Sequence, residues 1–294
     1  KMSRSLTEEN LPLIAIIPVE GTLMPGDSEE GMAGSDTING YIDTALEAED
    51  LAAIVLRVNS PGGSVFASDL IRRKLREVAD ADISIVVSMG TIAASGGYWI
   101  AAEADEIWAL PTTLTGSIGA FSAFPTIEGI VEYIGVTVDG VGTTPLAGAA
   151  SLNRGLSPEM ASIVQALAYG AYDDFIELVA SGRDMSEQAV REVADGLVWT
   201  GAEAAERGLV DELGGLDEAV AAAARLAGVE EWRTARTRLP PSFESVLLQE
   251  LSRSFGMVAA PLGGWFESLV SAFKPAIKSL SSLRDPMHVY AQCL

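Results

Sequence analysis

Hydrophobic and polar positions alternate along the chain in two rhythms, and the rhythm changes near residue 156. In the first half, short unbroken apolar runs end at turn residues: "LPLIAIIPVEG" (11–21), "AAIVLRVNS" (52–60), "ISIVVSMG" (83–90) and "EIWALP" (106–111). Runs of this length, rich in Ile and Val, predict buried strands. Between them the period lengthens. In 36–50, Ile38, Ile42 and Leu46 share one helical face, 64–80 is an amphipathic helix, and 95–104 reads as a further helix. Residues 24–36 are turn-rich and acidic and predict a loop, while 116–124, 126–135 and 136–142 continue as strand, helix and strand. Strands alternating with helices predict an α/β fold whose parallel sheet is covered on both faces.

Beyond residue 156 the pattern is helical. Ser157 caps a long helix with Pro158 at its first position, and "SEQAVREVADG", "TGAEAAERG" and "GLDEAVAAAARLAG" predict three more, each closed by glycine. The boundaries are therefore an α/β core over 1–156, a helical extension of the same domain over 157–231, and a tail over 232–294. "FGMVAAPLGGWFESLVSAFKPAIKSL" in the tail reads as a weakly amphipathic helix pair. With few basic residues to meet a lipid surface, it is expected to pack against a neighbouring subunit or domain.

Composition narrows the function. The 294 residues are 48% hydrophobic, enough for a full core, and carry a formal net charge of −22. Such a surface repels phosphate backbones, so no nucleic-acid partner is expected. The lone cysteine, Cys293, allows no disulfide within the chain and no cysteine-based metal site. Neither a metal nor a cofactor is expected. No apolar run reaches the ~18 residues of a membrane span. "KMSRSLTEENLP" lacks the apolar centre of a signal peptide, so an anchor would have to lie outside these residues.

One hydroxyl stands out. In "SMGTIAASGGYWIA", Ser95 sits among small residues where a strand hands over to a helix. A helix starting at Gly96–Gly97 would aim N–H groups and a positive dipole end at it. "NSPGG" (59–63), at the end of the preceding strand, offers a second set of N–H groups at the same sheet edge. A serine nucleophile needs a base. The single histidine, His288, is far along the tail, and a Ser-His-Asp triad would need the tail to fold back. A neutral buried lysine is the other option, but Lys1, Lys74, Lys274 and Lys278 are the only lysines, and none lies between 81 and 273. Either Ser95 is structural or its base comes from another segment of polypeptide.

"LRVNSPGGSVFASDLIRR", "VVSMGTIAASGGYWIA" and "TLTGSIGAF", with "VWTGAEAAERGLVDELGGLDEAVAAAARLA", resemble the signal peptide peptidase A (protease IV) family. The resemblance covers roughly residues 11–230 and implies a Clp protease/crotonase-like fold and Ser-Lys peptidase chemistry. It implies Ser95 as nucleophile, Ser117 as the residue orienting the lysine, and the N–H groups of Gly62 and Gly96 as oxyanion donors. The neighbourhood where the family's short form carries its lysine reads "GTTPLAGAASLNRG" here and has none. That fits the C-terminal half of the long tandem form, with the lysine supplied by an N-terminal half or a neighbouring subunit. The substrates implied are cleaved signal peptides and other apolar peptides, running as an extended strand beside "SPGG" with Val65 and Phe66 near their side chains. A homo-oligomer (a tetramer by resemblance) is implied, held at the membrane by an anchor outside this chain with its catalytic part on the extracytoplasmic side. Two rivals stay open. A crotonase-type thioester enzyme would use acids such as Glu103 or Asp105, and a scaffold would have lost its base.

Overall fold

The computed structural model describes residues 11–144, 146–237 and 289–292. The first part runs β1 (Leu13–Glu20), β2 (Thr22–Met24), β3 (Met32–Gly34), α1 (Ser35–Leu46), β4 (Leu51–Ser60), β5 (Gly62–Ser64) and α2 (Val65–Asp80). Next come β6 (Ser84–Ala94), α3 (Gly96–Trp99), β7 (Glu106–Ala109), β8 (Leu114–Gly116), β9 (Phe121–Ser122) and α4 (Glu128–Tyr133). A small hairpin of β10 (Ala150–Ser151) and β11 (Gly155–Leu156) leads into α5 (Pro158–Gly182) and α6 (Glu187–Val193). The last elements are β12 (Val198–Thr200), α7 (Gly201–Glu206), β13 (Glu212–Leu213), α8 (Leu216–Leu226), β14 (Arg233–Arg236) and β15 (Val289–Gln292).

The main sheet has the order β12-β8-β6-β4-β1-β14, with β7 beside β6 and β13 beside β7. All its pairings are parallel except β12 with β8. Successive side chains of its strands point to opposite faces. Ile54, Leu56 and Val58 of β4 join one core under α1, α2 and α5, whereas Ala53 and Val55 join a second under α8. Alanines at 219, 223 and 224 let α8 lie close to that second face. The α/β class with helices on both faces is as the alternation predicts.

The C-terminal region differs from its purely helical reading. Residues 157–231 supply β12 and β13 to the main sheet, and β14 adds its edge strand from within the tail expected to begin at 232. Leu13 to Ile16 pair with Arg233 to Arg236, and Arg233 also binds Asp50 Oδ2 at 2.7 Å. In the tail expected to be helical, residues 289–292 form a strand instead; the helix pair predicted there lies outside the described residues. The strand predicted at 136–142 does not form, and Val136 and Val141 are exposed. Apolar alternation without a neighbour to bond with makes no ladder. The acidic loop over 24–36 contains β3, paired with β2.

A second sheet, β3-β2-β5-β15-β9, stands beside the carboxyl ends of β4 and β6. The long strand β6 changes partners to reach it. Val86–Ser88 pair with β7, while Ile92–Ala94 pair with β8. The changeover lies at Gly90, where a Cβ would come within 2.9 Å of Asn59 Oδ1. Thr113 and Thr115 fix the bend by donating to the carbonyls of Gly90 and Ala93, each at 2.7 Å.

Candidate active site

Residue 95 follows the bent end of β6. Its backbone has φ 55° and ψ −118°, a region that side-chain-bearing residues rarely occupy. Tertiary bonds hold it there: Ser95 N–H donates to Gly116 O at 2.8 Å, and Ser95 C=O accepts from Tyr98 and Trp99. The residue is 1% exposed, and among the described residues its Oγ has no hydrogen-bond partner. A buried hydroxyl left unpaired is uncommon in folded proteins and costly.

The helix expected over 95–104 is only the single turn Gly96–Trp99. Its macrodipole is correspondingly small, so what it offers Ser95 is individual N–H groups rather than a long-range field. As first residue of the turn, Gly96 has an N–H with no acceptor inside the helix. Gly97 is packed against β4, where a Cβ would lie 2.8 Å from Ser60 O.

The "SPGG" motif joins β4 to β5, with Ser60 ending the first strand and Gly62 and Gly63 opening the second. Gly62 has φ 99°, and its N–H donates to Ser60 Oγ at 3.2 Å. Gly63 has φ 151°, and a Cβ there would collide with the backbone of Leu23. The backbone at both positions therefore calls for glycine, and Ser60 pairs directly with Ala93, two residues before Ser95. Val65 and Phe66 open α2 immediately after β5, Val65 packed partly against the core and Phe66 37% exposed.

Ser117 arrives through β8. The pairing of Ala94 with Gly116, and the Ser95–Gly116 bond, place the backbones of Ser95 and Ser117 side by side. Ser117 is also left-handed, at φ 50°, and is 5% exposed. A loop that sequence reasoning did not single out supports it: Ser117 N–H donates to Leu197 O at 2.7 Å, and Gly196 N–H to Ile118 O at 3.0 Å. Asp195 in that loop has φ 56° and accepts from Tyr172 Oη at 2.7 Å. Burial and this bond push the Tyr172 phenol up from its ordinary range. Three side-chain-bearing residues at positive φ thus lie on three backbone segments that these bonds join. A cavity of about 510 Å³ adjoins Ser117, lined also by Phe121, Tyr169, Tyr172 and Asp195.

Residues 77–230 match the model described as Peptidase family S49. The chain belongs to this family. It is 41% identical to Protease 4 of Salmonella typhi over 291 residues, covering 96% of this chain and 46% of that protein. It is 45% identical to Protease 4 of Haemophilus influenzae over 222 residues, 75% of this chain and 36% of the relative. Against the chloroplastic Serine protease SPPA of Arabidopsis thaliana the identity is 36% over 232 residues, 78% of this chain and 32% of that one. The chain spans less than half the length of these relatives. Among solved structures it is similar to a ClpP1 point mutant from Listeria monocytogenes, at 16% identity and a TM-score of 0.44, over 70% of this chain and 94% of that one.

Within the S49 chain Lys74, Glu103 and Asp105 have structural tasks. Lys74 is held by Asp43 at 2.7 Å and Glu77 at 2.6 Å on the outer face of α2, and the Asp43 bond raises its pKa. A lysine so paired stays charged and cannot act as a base. Lys1, Lys274, Lys278 and His288 lie outside the described residues. Glu103 pairs with Arg72 at 3.0 Å, and Asp105 accepts from Ile85 N–H at 2.7 Å. No helix among the described residues is long and apolar enough to cross a membrane.

Proposed function

We propose that the chain is the serine-bearing half of a Ser-Lys endopeptidase that hydrolyses apolar peptides, cleaved signal peptides among them. One observation carries this reading: the buried Ser95 Oγ, on a strained turn, lacks a partner among the described residues. A base supplied from outside would complete the bond that Ser95 lacks.

In this reading a neutral lysine amine, from an upstream half or a neighbouring subunit, takes the Ser95 proton as Oγ attacks the scissile carbonyl. The N–H groups of Gly62 and Gly96 receive the oxyanion, Gly62 exchanging its long bond to Ser60 Oγ for a charged acceptor. The lysine then protonates the leaving amine. Water, deprotonated by the same lysine, hydrolyses the acyl ester and frees Ser95. Ser117 accepts a hydrogen bond from the lysine and orients it. Working near neutral pH requires the lysine pKa to fall by roughly three units from about 10.4, on the order of 4 kcal/mol. Closure of the upstream half over the Ser117 cavity would supply the desolvation. The peptide lies extended beside β5, with Val65 and Phe66 near its side chains. The same reading takes the complete enzyme to be an oligomer held at a membrane by an anchor outside these residues.

The thioester rival has less support, because Glu103 and Asp105 are engaged in structural bonds. The test is labelling by a fluorophosphonate probe that reports an activated serine. The 294-residue chain alone should label at Ser95 about 10²–10⁴-fold more slowly than the complete protein, the usual worth of a positioned base. Adding the lysine-bearing half should restore the rate. Equal labelling by the isolated chain would place the base within it, and labelling unaffected by Ser95→Ala would remove Ser95 from the chemistry.

A further inference from the structure

β5 has two hydrogen-bonding edges, and both are occupied. Leu23 of β2 pairs with Gly63 on one side. On the other side β15 runs antiparallel to β5, with Tyr290 opposite Ser64, Ala291 opposite Gly63 and Gln292 opposite Gly62. The same strand pairs with β9, Val289 opposite Ser122 and Tyr290 opposite Phe121. β9 belongs to this sheet only through β15. A peptide that is to pair with β5 and bring a carbonyl to the Gly62 N–H has no vacant lane while residues 289–292 are in place.

We infer that residues 289–292 are an intrasteric strand: a segment of the chain itself that occupies the peptide lane and must leave before substrate enters. This rests on the reading that substrate pairs with β5. The direction of β15 fits the role. It passes Ser64 and Gly63 before reaching Gly62, the course that the residues preceding a scissile bond would take if their carbonyl is to end at that N–H. Its sequence, Val-Tyr-Ala-Gln, is uncharged and mostly apolar, as the lane demands of a substrate. Its hold is limited, because it meets β5 over three residues and β9 over two. Short ladders of this kind open more readily than a long core strand.

A shortened chain ending at Met287 is compared with the full chain for binding of a fluorescent Leu/Ala-rich nonapeptide, followed by anisotropy. A strand that fills the lane nine-tenths of the time lowers apparent affinity about tenfold, so the shortened chain should bind at least that much more tightly. Tyr290→Pro and Ala291→Pro in the full chain should have the same effect. An interior strand has a neighbour on each side, and proline removes a ladder donor to one of them. Hydrogen exchange on the unaltered full chain reads the same event without a variant: saturating peptide should unprotect amides 289–292 while 62–64 stay protected. Equal affinity of both chains, with 289–292 protected in the presence of bound peptide, would make β15 a fixed wall and overturn the inference. Failure of the lane reading looks different: peptide binds the shortened chain yet protects no amide in 62–64, and the inference falls with it. Binding alone is measured, so neither result depends on Ser95 or its base.

Discussion

Ser95 combines two local penalties that a stability-optimised protein would avoid. Its φ and ψ belong to a region costing of order 1–3 kcal/mol for a residue with a Cβ, and its buried hydroxyl forgoes a hydrogen bond. Both penalties point the same way under mutation. Ser95→Ala removes the unpaired polar atom and should stabilise the fold by up to about 1 kcal/mol while abolishing probe labelling. Ser95→Gly should stabilise further, because the turn then carries no Cβ. Urea unfolding of the three proteins measures this. A loss of stability in Ser95→Ala would mean that the hydroxyl has a structural partner.

Among the elements, the single turn α3 is locked to the C-terminal region by two side chains. Tyr98 is fully buried and donates its hydroxyl to Leu209 O at 2.8 Å, while Trp99 packs on Phe175 of α5 with ring centroids 4.7 Å apart. Burial pushes the Tyr98 phenol up from its ordinary value near 10. The sign for stability follows. Above about pH 10 the unfolded chain loses this proton and the folded chain keeps it, so the folded state binds more protons and stability falls as pH rises. Tyr98→Phe should cost about 1–2 kcal/mol at neutral pH by orphaning Leu209 O. The variant should also show a shallower decline than the parent between about pH 10 and 11, followed by chemical denaturation. Parallel slopes would mean that Tyr98 ionises freely in the folded state.

At the scale of the whole molecule, one face of α5 lines the cavity beside Ser117. Gln165 and Tyr169, four residues apart and so on that face, are both exposed, and the lining continues through Ala168 and Tyr172. A lysine delivered to Ser117 from outside the chain would bring its carrier against this face. Gln165→Ala with Tyr169→Ala should weaken association with the lysine-bearing half at least tenfold and leave the melting temperature of the isolated chain within about 2 °C, since exposed substitutions cost little. Sedimentation and calorimetry measure the two quantities. Unchanged association would move the docking face elsewhere.

The sequence by itself determined the elements whose burial is periodic, and the residues whose chemistry is local. Ile54, Leu56 and Val58 alternate with Ala53 and Val55 because two cores lie on opposite faces of one strand, and that alternation is visible without a structure. Ser95 and the glycines of "SPGG" were legible as turn positions because small residues between apolar runs mark sharp turns, whereas Ser117 was singled out only by the family resemblance. Counting lysines showed that a base was wanting in the core. Tertiary structure alone decided the rest. The run after Ser95 is buried all round, so no period marks where α3 stops. β12, β13 and β15 have two to four residues each, too few for a rhythm, and exist because a distant partner offers unpaired backbone groups. The loop Asp195–Leu197 lies beneath Ser117 for the same reason, through bonds spanning some eighty residues. Occupation of the peptide lane by residues 289–292 is likewise a choice among backbone partners, made only when the whole chain has folded.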